Sequence, residues 1–294
     1  MRDGSRGRKD GGGVFHEGRG DAPPQRMRWD RAPHPGWRAR LKGRYAALLA
    51  LVILSAVYVS MTPGGDAMVA ARKRELPVYN VEREDKTIAI SFDAAWGSAN
   101  TAALLDLLDK YGVKTTFFVV GIWVEKYPEL VQEIAARGHE VESHSATHPH
   151  MPRLSDEKMR QELSAVADRI ERLTGKRPTL FRPPYGDYND RTILVARQEG
   201  YEVIQWNVDS LDWKNLGVEP MVAAATKNLA PGNIVLFHND SRYLMDALPA
   251  ILDYYVSNGY KIIPVSQILL PGDTYIDHAG TQHPKAQTAP APEA

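Results

Sequence analysis

Between residues 84 and 270 the chain alternates short apolar runs with amphipathic helical patterns, and this alternation limits the folds open to it more than any other feature. Strand-like runs fall at 87–92, 115–120, 139–143, 179–182, 202–206, 233–237 and 261–263. Helical periodicity fills most of the gaps, at 100–110, 128–137, 155–174, 189–198, 219–228 and 244–258. Strands separated by helices pair in parallel through right-handed crossovers, so the sheet is either open and doubly wound or rolled into a barrel. Seven strands favour a barrel, closed or incomplete, over the open sheet. No glycine-rich phosphate loop follows the first strand, which removes the usual mark of a doubly wound nucleotide-binding sheet.

Polar residues gather where those strands end. Asp93, His144, Arg182, Asp209 and His238 each follow the C-terminal end of an apolar run or lie a few residues beyond it. In a parallel barrel these ends share one face, the face where chemistry collects. His144 and His148 are four apart and can offer imidazole nitrogens to one divalent metal, zinc being the natural choice for such donors. Asp93 is placed to take a proton from an activated water, and His238 to give one at neutral pH. Taken singly, each has a bland alternative: a solvated histidine loop, a helix cap, a packed imidazole.

The flanks differ from this body. Residues 1–44 carry 12 basic and 5 acidic side chains, a balance of +7, and the neutral chain therefore leaves −7 for the remainder. A mildly acidic body argues against nucleic acid as a partner. The absence of cysteine excludes disulfides, a thiolate nucleophile and sulfur-ligated metal. An uninterrupted apolar run over 45–61 follows Arg38, Arg40, Lys42 and Arg44, and 17 helical residues would reach about 25 Å, close to a bilayer core of about 30 Å. It reads as a single-pass anchor in the bacterial cell membrane, with a disordered basic cytoplasmic tail (1–44), a linker (62–83) and the body outside. A cleaved signal peptide or a buried helix are the rivals. Residues 271–294 show no periodic pattern and are expected to be a disordered tail.

Taken together, five segments resemble the polysaccharide deacetylases of the NodB-homology type, carbohydrate esterase family four. They are Ser91-Phe92-Asp93, His144-Ser145-Ala146-Thr147-His148, Arg182-Pro183-Pro184-Tyr185, Asp209 to Trp213, and Leu236-Phe237-His238. The resemblance spans roughly 84–270 and implies a distorted (β/α) barrel of about seven strands. It implies that Asp93 is the catalytic base and His238 the general acid, with Arg182 pairing Asp93 and Asp212 orienting His238. His144 and His148 become metal ligands, and Tyr185, Trp213, Leu236 and Pro184 belong to the substrate groove. The reaction implied is hydrolytic N-deacetylation of N-acetylated sugars in cell-wall polysaccharide.

One position departs from the pattern. The first motif of the family has two successive acidic residues, the second a metal ligand, whereas this chain has Ala94. Two histidines alone predict a weakly held metal, because catalytic zinc sites keep three protein ligands. Glu142 is a candidate replacement, since on a strand it shares a face with His144. The segment Phe92-Asp93-Ala94-Ala95-Trp96-Gly97 resembles the sporulation-specific deacetylases of the PdaB type, which implies peptidoglycan, including spore cortex, as substrate. A catalytically impaired glycan-binding protein on the same fold is the alternative, and an O-deacetylating esterase a third.

Overall fold

A computed structural model describes residues 36–61 and 74–285, with side chains of the first segment described for 45–58. The chain divides into two units, Met1–Arg72 and Lys73–Ala294. In the first, helix α1 (Gly36–Met61) covers the apolar run, and Leu48, Leu49, Leu51, Val52, Ile53 and Leu54 along it are all exposed. Among the described residues no helix is long and apolar enough to cross a membrane. The tail expected to be disordered over 1–44 is helical over 36–44, where α1 begins, while 1–35 and most of the expected linker lie outside the described residues.

In the second unit β1 (Asn80–Val81) precedes the long strand β2 (Thr87–Ala94), α2 (Thr101–Lys110), β3 (Thr116–Val119), α3 (Gly121–Lys126) and α4 (Pro128–Ala136). Then come β4 (Glu140–Ser143), α5 (Asp156–Thr174), β5 (Leu180–Phe181), α6 (Asp190–Gln198), β6 (Glu202–Val203) and β7 (Val208–Asp209). The order closes with α7 (Val218–Thr226), β8 (Ile234–His238), α8 (Leu244–Ser257), β9 (Lys261–Ile263), α9 (Val265–Ile268), β10 (Thr274–Ile276) and β11 (Thr281–Pro284).

The main sheet has the order β6-β5-β4-β3-β2-β8-β7, with β9 beside the start of β2, and its ladders are all parallel. No ladder among the described residues joins β6 to β7, so the sheet curls into an incomplete barrel. All seven expected strands are present, and the short β7 joins them as an eighth. Residues 208–209 pair with β8 over only two positions and carry no apolar run to announce them. Helix boundaries follow their caps: the Ser155 hydroxyl accepts the Lys158 N–H, and the Asn189 side chain accepts that of Thr192.

β2 is buried along its whole length, so its two faces meet different cores. Ile88, Ile90, Phe92 and Ala94 join the large apolar cluster containing residues of α2, α4, α5 and α8. Ala89 faces the other way, in a cluster with Phe118, Leu180, Ile204 and Ile234. Ser91 and Asp93 continue that second face toward the strand end, by the two-residue period of a strand. The barrel interior is thus apolar at its base and polar at its rim.

The expected disordered tail is corrected over 271–285, and its residues 286–294 lie outside the described residues. β10 and β11 form an antiparallel hairpin, and β11 pairs in parallel with β1 inside the expected linker. Val78 and Val81 are buried, and Gln282 accepts the Leu270 N–H through its side chain. This order arises from backbone pairing across some 200 residues of sequence, which no local periodicity can signal.

Candidate active site

The site stands on the C-terminal rim of the sheet, and its centre is a buried ion pair. Arg182, one residue past β5, is fully buried and donates from Nη1 to Asp93 Oδ1 at 2.7 Å. Its Nη2 donates to Ser91 Oγ at 2.8 Å and to the Gln205 carbonyl at 3.2 Å, while the guanidinium lies 4.1 Å from the Phe118 ring centroid. A guanidinium removed from water needs such partners to offset its desolvation. Burial alone would raise the Asp93 pKa, but the charges of Arg182, His144 and His238 and the Arg182 hydrogen bond hold it below the ordinary carboxylate value.

His144 continues from β4 and is 3% exposed. Its Nδ1 lies 2.7 Å from the Arg182 carbonyl, an acceptor only, so Nδ1 carries the proton and Nε2 keeps its lone pair. That Nε2 lies 3.5 Å from Asp93 Oδ2. His148 adopts a left-handed φ of 60°, its N–H donating to Ser145 Oγ, and its ring centroid is 4.9 Å from that of His144. The loop between the two histidines is pinned by the start of α3, where Gly121 N–H and Ile122 N–H donate to the carbonyls of Ser145 and Ala146. Only glycine fits at 121, because a Cβ would come within 2.9 Å of Ala146 backbone atoms. Burial lowers both imidazole pKa values, that of His148 to about 4, so both rings are neutral donors at physiological pH.

These two histidines are what the chain offers a divalent metal. His148 Nδ1 is buried without a hydrogen-bond partner, and His144 Nε2, with its lone pair, has only the Asp93 carboxylate nearby at 3.5 Å, so the pair fits a cation held from one side. Among the described residues no group of three or more His, Asp or Glu side chains is arranged to hold one. Ala94 is fully buried in the apolar cluster and has no donor atom. The expectation that Glu142 replaces it is overturned: Glu142 Oε2 accepts the Thr179 and Leu180 N–H groups at 2.8 and 2.7 Å, which ties the carboxyl to the entry of β5. Burial pushes its pKa up to about 8. When bound, a divalent cation such as zinc acts as a Lewis acid that activates water.

Across the cleft stands a second pair. His238 ends β8, and its Nδ1 donates to Asp212 Oδ1 at 2.8 Å while its backbone N–H donates to Oδ2 at 2.6 Å. Asp212 is 1% exposed. Burial would lower the His238 pKa, but the Asp212 hydrogen bond and the charges of Asp212, Asp93 and Asp209 raise it above the ordinary imidazole value. The fixed tautomer leaves Nε2 of His238 as the free atom.

A cleft of about 740 Å³ joins the two pairs, lined by Asp93, His144, His148, Asp212, His238, Leu236, Tyr185 and Trp213 among others. Nine of the ten expected site residues meet here or directly behind it. The tenth, Pro184, does not reach the cleft; it is buried at the start of the single turn Pro184–Gly186 that holds Tyr185 at a φ of 62°. Sequence reasoning missed Ser91 as the acceptor that seats Arg182, although its position two before Asp93 on one strand was the available signal. It also left Trp96, which lines the cleft, without a role.

A model of the polysaccharide deacetylases matches residues 80–204. A peptidoglycan-N-acetylglucosamine deacetylase of Bacillus cereus is 36% identical over 196 residues, covering 65% of this chain and 92% of that protein. The chain belongs to the polysaccharide deacetylase family. Within it, the peptidoglycan-N-acetylmuramic acid deacetylase PdaC of Bacillus subtilis is 36% identical over 188 residues, and this chain spans 40% of that protein's length. Among solved structures, a pseudoenzyme of carbohydrate esterase family 4 from Bacillus anthracis superposes with a TM-score of 0.63 at 30% identity, over 65% of this chain and 68% of that one. A mutant of that pseudoenzyme with restored enzymatic activity superposes equally well, at 31% identity.

Proposed function

We propose that this family member removes acetyl groups from N-acetylated sugars of cell-wall glycan, peptidoglycan foremost. The carrying observation is the pair of oppositely tuned groups on one cleft, Asp93 with its pKa held down beside Arg182 and His238 with its pKa held up by Asp212. Titratable neighbours pushed apart in this way divide into a base and an acid at the same pH. Asp93 accepts a proton from the attacking water, whose oxygen adds to the amide carbon. The C–N bond then breaks, His238 gives its Nε2 proton to the departing amine, and acetate remains. His144 and His148 face the same space and would hold the divalent metal.

A second reading has an observation of its own. Ala94 leaves the metal with two protein donors, and a pseudoenzyme is among the structures most like this one. In that reading the chain binds glycan and turns it over poorly or not at all. Acetate release from purified peptidoglycan by the 294-residue chain, with bound zinc measured in parallel, separates the two. The deacetylase reading requires release that Asp93→Asn and His238→Ala abolish; no release from native protein overturns it.

The sporulation-specific placement, with spore cortex as substrate, is supported by the Phe92-to-Gly97 segment. We place the catalytic unit on the outer side of a bacterial cell membrane, tethered over residues 45–61. The support is the apolar run and its basic flank, with the exposed leucines of α1. Recovery of the intact protein in the soluble fraction of its host would refute the tether.

A further inference from the structure

Trp96 is an exposed indole lining the cleft to which the catalytic reading assigns no task. It is 63% exposed, although exposing an indole forgoes roughly 2 kcal/mol of burial. A loop tip that merely wandered could carry it, but this loop is clamped on both sides of its backbone. The carbonyl of the next residue, Gly97, accepts the Trp123 indole N–H at 2.8 Å and the Asn239 side-chain amide at 3.0 Å. Asp240 packs so closely on Gly97 that a Cβ there would overlap its carboxylate, at 1.7 Å from Oδ2. The same carboxylate accepts the Asn100 N–H through Oδ1. The segment leaving β2 is therefore tied to the segment leaving β8, and Trp96 projects from a fixed base.

Its neighbours set what it can meet. The indole lies 5.6 Å from the His148 ring, on the side of the cleft that carries Tyr185, itself 59% exposed and 4.4 Å from His148. Trp213, 55% exposed, adjoins Asp212 and hence the His238 pair. Exposed aromatic rings thus lie beside the metal-side histidine His148 and beside the Asp212–His238 pair, and the three rings all line one cleft. Pyranose rings offer apolar C–H faces with a polar edge, and flat aromatic surfaces cover those faces while the edge stays free for hydrogen bonds. Because the platform is already rigid, little ordering cost is paid on binding.

We infer that Trp96 is a glycan-stacking platform beside His148 that acts together with Trp213 beside Asp212, so that the site grips a sugar chain on both sides of the acetamide being cut. The inference rests on the proposed glycan substrate and adds to it a binding position and a direction: the chain runs from Trp96 across the histidines to Trp213.

The test uses the 294-residue chain in a zwitterionic detergent, carrying Asp93→Asn to prevent turnover, and a β-1,4-linked tetramer of N-acetylglucosamine as probe. Affinity is read by calorimetry for Trp96→Ala, Trp96→Phe and Trp213→Ala, with circular dichroism confirming the fold of each. Trp96→Ala should weaken binding by about tenfold, about 1.4 kcal/mol, and Trp96→Phe should recover most of the loss. With the N-acetylglucosamine dimer, Trp96→Ala and Trp213→Ala should each cost less than with the tetramer, since a short probe need not span both rings. If Trp213→Ala weakens tetramer binding and Trp96→Ala does not, the platform is wrong while the glycan substrate stands. If the tetramer binds neither parent nor variants, the platform falls together with the substrate on which it rests.

Discussion

Replacing Arg182 by Met should expose how much of the rim depends on one buried charge pair. The side chain is fully buried, and Met fills much of the same volume against Phe118. What the substitution leaves behind is Asp93, 4% exposed, with its strongest partner gone. Ser91 Oγ and the Gln205 carbonyl lose a donor as well. Breaking a buried pair from one side costs roughly 3–5 kcal/mol, most of it the orphaned charge. At about 3 kcal/mol per M for a domain of this size, the urea midpoint should fall by about 1 to 1.7 M. Adding Asp93→Asn to Arg182→Met should return part of that loss, because the orphaned charge disappears. The pH dependence follows from the same residue. With Arg182 present, the Asp93 pKa is depressed, so its stabilisation exists above the unfolded value and is lost as pH falls through the folded one. With Arg182 gone, burial dominates and raises the folded pKa above the unfolded one, so the folded state binds the extra proton. The variant's deficit should then be smaller at pH 5 than at pH 8. Urea melts of the native chain, both single variants and the double variant at these two pH values measure all of this. A double variant no more stable than Arg182→Met, with a pH-independent deficit, would refute the argument that Asp93 carries the cost.

Three further outcomes are expected. Asp212→Asn removes the carboxylate that raises the His238 pKa, so an NMR titration of the His238 ring should show its midpoint moved to lower pH; an unmoved midpoint rules out Asp212 as the cause. Glu142 has a folded pKa of about 8, above its unfolded value, so its contribution is full below the unfolded pKa and is lost as pH rises toward 8. Glu142→Gln should therefore gain on the native chain by on the order of 3 to 4 kcal/mol between pH 5 and 8, and melting curves that stay parallel across that range contradict it. Ala94→Asp should lower the melting temperature in metal-free buffer and raise it on adding zinc, by more than zinc raises the native chain. Equal zinc responses would mean that the new carboxylate remains among Ile88, Ile90 and Phe92.

The alternation of apolar runs and helical patterns was enough to place seven strands and six helices, because each of those elements buries one continuous face and so writes its period locally. α3 was not foreseen. Its six residues are too few to show a period, and it is held by the Ser145 and Ala146 carbonyls of a loop far along the chain. The β1, β10 and β11 sheet escaped for the same reason, since its pairing joins the two ends of the unit. In the site, the positions of Asp93, His144 and His238 could be read from the strand ends they follow. The direction of Glu142 could not. Strand parity gives it the face of His144, but two unpaired N–H groups at the entry of β5 take the carboxyl first.

Ala94 now has a structural meaning beyond a missing ligand. β2 continues through residue 94, paired with Val119, and the Ala94 carbonyl accepts the Val120 N–H. In an unbroken strand, neighbours point to opposite faces, so residue 94 faces the apolar cluster while Asp93 faces the cleft. A carboxylate at 94 could share a metal with His144 and His148 only if the strand ended one residue earlier, at the cost of that ladder bond, about 1 kcal/mol. Alanine removes both the ligand and the reason to end the strand. The consequence is asymmetric: the Asp93–Arg182 and Asp212–His238 pairs are held by contacts that do not involve residue 94, so the acid-base half of the site stays assembled when the metal half is weakened. The return of activity in a mutant of the Bacillus anthracis pseudoenzyme shows that a related fold can retain a repairable site. In this chain a carboxylate introduced at 94 would face the histidines only if one residue of strand shifted as well.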